Sequence, residues 1–334
     1  MAKIWEPNIM YSALRPYVDW CCRTSYRQIK MVGKENIPKD VPVIFAPNHS
    51  NTLMDAVVML QYDRSATTFG ARADIFKNPS TAKVLRFLRI LPLARRRDGQ
   101  DAVSHNDEIF DEAIDSIGHH APFCIFVEGT HRTKHSLMRP RKGIFRIATK
   151  GASVLGTPIN IVPVGIDYSD YFHYMGKCRL SFGKPIPVLE DSDIPELTNT
   201  LYEKMSELIT FFPDDENYDK AWAEYERTHV SNHYWWHYPL ALLTLPFFII
   251  FGIISFPMWL AALLIGRKMK DKAWLNTVRF GCKFAGVPIM TVLWAIFGFI
   301  FLPWWVVLIG FPLIWYSQPV TYVLLSFYRF VLGK

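Results

Sequence analysis

Three segments carry side chains able to do chemistry. The first is APNHSNTLMD, residues 46–55, directly after the apolar run VPVIFA. His49 is suited to general-base work near neutral pH. Asp55 offers a carboxylate that can fix the ring tautomer and stabilise the imidazolium formed on proton uptake. Six positions separate the two residues. On a helix advancing about 100° per residue, that spacing does not bring two side chains to one face. His49 is therefore expected on a turn, with Asp55 on the helix that follows. The second segment is FVEGTHRTK, residues 126–134, again after an apolar run. Gly129 lets backbone approach a ligand, and Thr130, Arg132 and Lys134 offer donors to an anion. The third is LPLARRRD, residues 91–98, whose arginines suit bidentate phosphate binding. Taken singly, the three also read as a helix-capping loop, a surface turn and a solvated charge run.

The elements that must position them alternate. Apolar runs at 41–46, 67–71, 123–127 and 159–165 read as strands, and amphipathic segments at 80–90, 101–117 and 142–155 read as helices. This spacing predicts an α/β domain with a mainly parallel sheet. A further helix is expected at 193–212, within a charged helical linker that ends near residue 227. Residues 9–22, interrupted by Pro16, can form a helix lying on a membrane surface.

The last third of the chain differs. Residues 228–266 and 284–328 contain no Asp, Glu, Lys or Arg. About 20 apolar residues cross a bilayer as a helix, and Trp235, Trp236, Trp304, Trp305 and Trp315 suit interfacial anchoring. The formal charge of +7 resides here, since residues 228–334 hold eight basic residues and one acid. Basic residues beside apolar runs mark the cytoplasmic loops of a membrane protein rather than a nucleic-acid surface. Five cysteines without a CxxC pair indicate reduced thiols and a domain facing the cytosol.

Taken in order, the segments resemble the glycerophospholipid acyltransferase family, the lysophosphatidate and glycerol-3-phosphate acyltransferases. The matching residues are Asn48-His49 with Asp55, Pro92-Leu93-Ala94-Arg95, Phe126-Val127-Glu128-Gly129-Thr130 with Arg132, and Ile161-Val162-Pro163-Val164. The likeness spans roughly residues 25–190. It implies an α/β acyltransferase domain there, after a 1–24 interfacial helix and before a 191–227 linker. The 228–334 membrane region would hold a re-entrant or spanning segment at 239–266 and helices at 284–302 and 306–328. It further implies His49 as base, Asp55 as its partner, and a phosphate site drawn from Arg95, Glu128, Gly129, Thr130, Arg132 and Lys142. Glu128 is read as ordering these donors. The partners implied are an acyl thioester donor (acyl-CoA or acyl carrier protein), a glycerophosphate or lysophospholipid acceptor, and the lipid bilayer. The chemistry requires neither cofactor nor metal.

The chain departs from the family pattern at three points. Five residues, not four, separate His49 from Asp55, a spacing that resembles a dual-substrate glycerol-3-phosphate/dihydroxyacetone-phosphate branch. Val127 stands in place of a proline, and His131 is inserted between Thr130 and Arg132. A zinc site at His119, His120, His131 and His135 is disfavoured because the surrounding sequence does not read as a helix and lacks HExxH. A serine hydrolase lacks its GxSxG elbow. The alternative from another class is a membrane lipid-binding or scaffold protein on the same fold. The expected topology is multi-pass with the domain in the cytoplasm. The basic loop at 267–283 stays on the domain's side, which makes 239–266 a shallow hairpin broken near Pro257.

Overall fold

The computed structural model describes residues 3–62, 67–94, 106–228 and 234–333. Its helices and strands, in chain order, begin with α1 (Ile9–Arg23), β1 (Gln28–Val32), β2 (Val43–Pro47), α2 (Leu53–Met59), β3 (Thr68–Arg72) and α3 (Pro79–Phe87). They continue with β4 (Ile90–Leu93), α4 (Asn106–Gly118), β5 (Phe123–Ile125), α5 (Gly143–Leu155), β6 (Ile159–Tyr168), β7 (Lys177–Phe182) and β8 (Ile186–Val188). The helices α6 (Ile194–Ser206), α7 (Tyr218–Thr228), α8 (His237–Lys268), α9 (Leu275–Phe301) and α10 (Trp304–Val331) complete the chain.

Strand β2 occupies the middle of the sheet, whose order is β1-β7-β6-β2-β5-β3-β4, with β8 added to β6. Successive side chains leave a strand on opposite faces. Val43 and Phe45 accordingly join one buried cluster, with α1 and α2. Ile44 and Ala46 join the other, with α4, α5 and α6. Burial on both faces is why the run reads as continuously apolar rather than alternating. β6, β2, β5, β3 and β4 are parallel. β7 and β8 are antiparallel to β6. Because the central strands share one direction, the chain leaves β2, β5, β6 and β4 at the same edge of the sheet, where ligand sites of such sheets gather.

Two helices end earlier than their patterns suggest. α3 stops at Phe87 instead of 90, because Arg89 takes a left-handed φ of 61° and turns the chain into β4. α6 stops at Ser206 instead of 212. Of the expected helix at 101–117, residues 101–105 lie outside the described residues. α1 runs unbroken through Pro16.

The three C-terminal helices are long and apolar enough to cross a membrane by length and composition. α8 corrects the hairpin reading: it is continuous through Pro246 and Pro257. Packing beside the prolines sustains it, as neighbouring helices allow in apolar surroundings. Thr244 meets Tyr328 of α10 at 3.1 Å, and Ser255 meets Thr321 at 3.0 Å. α9 and α10 extend beyond the expected 284–302 and 306–328. The first turns of α9 are polar, and the domain satisfies them: Lys283 Nζ donates to Cys21 O at 2.7 Å, and Asn276 donates to Tyr171 O at 2.9 Å. Lys283 Nζ thus sits at the C-terminal end of α1, among Cys21 O, Thr24 and Ser25.

The contacts fix how these helices cross. Trp294 donates to Val307 O, so α9 and α10 form an antiparallel hairpin. α8 runs antiparallel to α10 in its first half, through the Thr244 and Ser255 contacts. In its second half it runs antiparallel to α9, where Gly266 packs on Leu275 and Gly286 packs on Met258. Three rods cannot all be aligned antiparallel, so α8 crosses from α10 to α9 at the end of the hairpin that lies toward the domain.

Candidate active site

His49 stands where β2 ends and α2 has not begun. Asn48 anchors this turn: its Nδ2 donates to Ile166 O at 3.0 Å and its Oδ1 accepts from Ile166 N at 2.7 Å. These bonds continue the β2–β6 pairing one residue beyond the ladder. Thr52 absorbs the extra residue of the His49–Asp55 spacing with φ 49°, ψ −125°, a conformation costly for a β-branched side chain. Its hydroxyl meets that of Thr277 on α9 at 2.7 Å.

The turn brings His49 Nδ1 to 2.7 Å from Asp55 Oδ2. The same oxygen accepts from the backbone N–H groups of Ser50 and Asn51, both at 2.8 Å. Asp55 Oδ1 accepts from Tyr168 Oη at 2.7 Å, at the end of β6. Asp55 is wholly buried, yet four donors converge on it. As acceptor, Asp55 assigns the proton to Nδ1 and leaves the lone pair on Nε2. Phe126 stacks against the His49 ring at a centroid distance of 4.3 Å, and the His49 side chain keeps 20% exposure. A partly open imidazole with a buried carboxylate behind it can take a proton from a hydroxyl.

The loop after β5 forms the other wall. Glu128 is buried, and it receives the backbone N–H groups of His49 and Met138. Burial pushes its carboxyl up to about 8, against these hydrogen bonds and the Arg132 charge. It braces the His49 turn from beneath and does not reach outward as an anion ligand. Gly129 adopts φ 69°, which favours glycine, and Gly129 and Thr130 are exposed at the loop surface. Arg132 N donates to His49 O at 3.0 Å, but its guanidinium pairs with Asp214 and Ser136. Lys134 pairs with the same Asp214 at 2.7 Å. Arg132 is therefore turned toward the segment joining α6 to α7 and does not stand beside His49.

Lys142 is exposed at the start of α5. Its neighbour Arg141 is the basic residue that touches the loop, with its N–H on Val127 O at 2.8 Å and Nε 3.5 Å from Glu128 O. Arg95 lies outside the described residues. His131 and His135, weighed as metal ligands, engage different carboxylates: Asp271 at 2.6 Å and Asp167 at 3.2 Å. Tyr168, Arg141 and Asp271 carry no motif of their own, and each reaches the site through a distant pairing in the fold.

Residues 28–167 match the family model described as Acyltransferase. This segment is an acyltransferase-family domain. A solved structure, the 1-acyl-sn-glycerophosphate (LPA) acyltransferase PlsC from Thermotoga maritima, is similar over 59% of this chain and 78% of that one. Its sequence identity is 21% and its TM-score 0.44. A search of curated proteins found no match. The matched segment contains His49, Asp55 and the whole loop from Glu128 to Lys142.

Proposed function

We propose that this protein is a membrane-bound O-acyltransferase of phospholipid synthesis. It moves a fatty acyl group from acyl-CoA or acyl carrier protein to a hydroxyl of lysophosphatidate or glycerol 3-phosphate. The observation that carries this reading is the His49–Asp55 pair, with Nδ1 occupied and Nε2 unpartnered among the described residues. Nε2 removes the proton of the acceptor hydroxyl as its oxygen attacks the thioester carbonyl. The tetrahedral intermediate collapses with loss of the thiolate, which takes the proton back from Nε2. The acceptor oxygen is itself the nucleophile, so no acyl-enzyme forms. Asp55 holds the ring and balances the imidazolium. Arg95, with Gly129 and Thr130, is assigned to the acceptor phosphate, and alignment of the two substrates supplies much of the rate. The test is acylation by the purified full chain in detergent, with each donor offered against each acceptor. Transfer to a glycerophosphate hydroxyl supports the reading, and binding of lipid without transfer to any acceptor overturns it.

The contacts at the two ends of α8 support a reading of the membrane placement. Asp271, just beyond the end of α8, touches His131 of the domain. His237, at the start of α8, packs on Phe330 of α10, which itself docks on the domain through Trp315 and Tyr322. Both ends of α8 are thereby tied to the domain's side. We assign α8, apolar around its whole circumference, to an oblique path within the bilayer near the domain's side and the α9–α10 hairpin to full crossings, with the domain and the basic 267–283 loop in the cytoplasm. Lys270→Cys in a cysteine-free background should resist impermeant thiol reagents in intact cells and react after permeabilisation. Reaction in intact cells would place this loop outside.

A further inference from the structure

The structure assigns His131, held by Asp271 of the membrane region, as a further binding residue for the phosphate monoester of the acceptor. This inference rests on the acyl-transfer reading for where the acceptor lies. His131 is the residue inserted between Thr130 and Arg132. The insertion has a geometric result. Arg132 is turned to Asp214, while the His131 ring stands edge-on to the His49 ring with centroids 5.7 Å apart. Lys134 shares Asp214, and Arg141 lies along the loop backbone at Glu128. Among the described residues, His131 is thus the ionisable cation-forming side chain placed against the catalytic histidine.

Its ring is fixed rather than free. Nε2 lies 2.6 Å from Asp271 Oδ2, while Asp271 Oδ1 accepts from Ala273 N at 2.9 Å. The carboxylate is therefore itself anchored at the start of a short helical turn. The hydrogen bond from His131 holds the Asp271 carboxyl below the usual carboxylate range. Trp274 closes the other side of the His131 ring edge-on, at 6.2 Å. Nδ1 has no partner among the described residues. A histidine with one nitrogen committed and the other unpaired offers one directed contact. Toward a phosphate dianion, the imidazolium donates from Nδ1–H, and Asp271 balances the ring's charge. Toward a monoanion, Nδ1 accepts from the P–OH. The same segment also reaches the other side of His49, since Thr277 holds the strained Thr52. Residues 271–277 therefore touch both loops that build the site.

Three substitutions separate binding from mere attachment of the loops. His131→Asn retains a polar nitrogen near Nδ1 but loses the Asp271 bond. His131→Gln retains the Asp271 bond but loses Nδ1, and His131→Ala loses both. Full-length protein in detergent is titrated with glycerol 3-phosphate and with lysophosphatidate. KM for acceptor and donor is then measured on the same samples. Alanine and glutamine should each weaken acceptor binding about tenfold or more, with donor KM within twofold of wild type, and asparagine should restore much of the loss. Rescue by glutamine instead, or acceptor binding within twofold in all three variants, overturns the assignment. If wild type acylates no acceptor, the acyl-transfer reading falls, while the titration still decides whether His131 binds the phosphate.

Discussion

The turn at 48–55 and the loop at 128–134 meet around one imidazole, yet they are built in opposite ways. The turn is closed inward. Every bond to Asp55 comes from the domain itself: two backbone N–H groups, Tyr168 and His49. The loop is held outward. Arg132 and Lys134 pair with Asp214 near the linker, and His131 pairs with Asp271 beyond α8. The hydrogen bonds to Asp55 thus come from the α/β domain, while the turn around it also meets α9 through Thr52 and Thr277. The outer loop is held through Asp214 and Asp271, which lie outside the 28–167 match.

The contrast can be broken most decisively on the turn. His49→Ala should lower kcat by about two to four decades with the melting temperature near that of wild type. Activity above a tenth of wild type would remove His49 from the mechanism. Asp55→Asn should fall in a similar range, because an amide favours the wrong ring tautomer, and the double variant should be no worse than either alone. Tyr168→Phe removes one of four donors to a buried carboxylate. A charge-assisted bond is worth about 1.5–3 kcal/mol, so kcat should drop tenfold or more without change in acceptor KM. An acceptor KM effect there would show that the two walls are not separable.

Glu128 sharpens the comparison, because it is the buried member of the outer loop. Its folded value of about 8 lies above the ordinary 4.5. The folded protein therefore keeps a proton between these values that the unfolded chain releases. The stabilisation is complete below about 4.5 and is lost as pH rises through about 8. The melting temperature of wild type should fall between pH 6 and pH 9 more steeply than that of Glu128→Gln. Parallel curves would mean that Glu128 is ionised throughout. The smallest effect is expected from Asp214→Asn, since ion pairs exposed to solvent are screened and contribute little. It should change acceptor KM a few-fold, leave kcat alone, and lose its effect in high salt.

The sheet was legible where strands are buried on both faces. VPVIFA, FCIFV and INIVPVG are apolar without interruption and became β2, β5 and β6. β1 alternates exposed and half-buried residues, β4 contains a proline, and β8 has three residues. Such edge pieces are defined by the partner they bond, which is not written in their own composition. His49 and Asp55 were legible because they are neighbours with a recurrent spacing. Tyr168 lies 113 positions from Asp55, and Asp271 lies 140 from His131. Those pairings arise only when the strand order and the docking of α9 bring the segments together. The direction of Arg132 was illegible for the same reason, since its partner belongs to the linker. The crossing of α8 from α10 to α9 brings Gly266 and Gly286 into close approach with Leu275 and Met258, which hydropathy does not encode. Hydropathy records length and says nothing of angle.

Phe126 has a role beyond packing. Its ring covers one face of the His49 imidazole, Asp55 occupies the rear nitrogen, and His131 stands at the edge. Under the proposed mechanism, Nε2 is the one ring nitrogen left to hold a proton taken from an acceptor hydroxyl. The same atom would then return that proton to the leaving thiolate, acting as base in the first half of a turnover and as acid in the second. Phe126, by covering one face, keeps the ring in the single plane that points Nε2 away from Asp55.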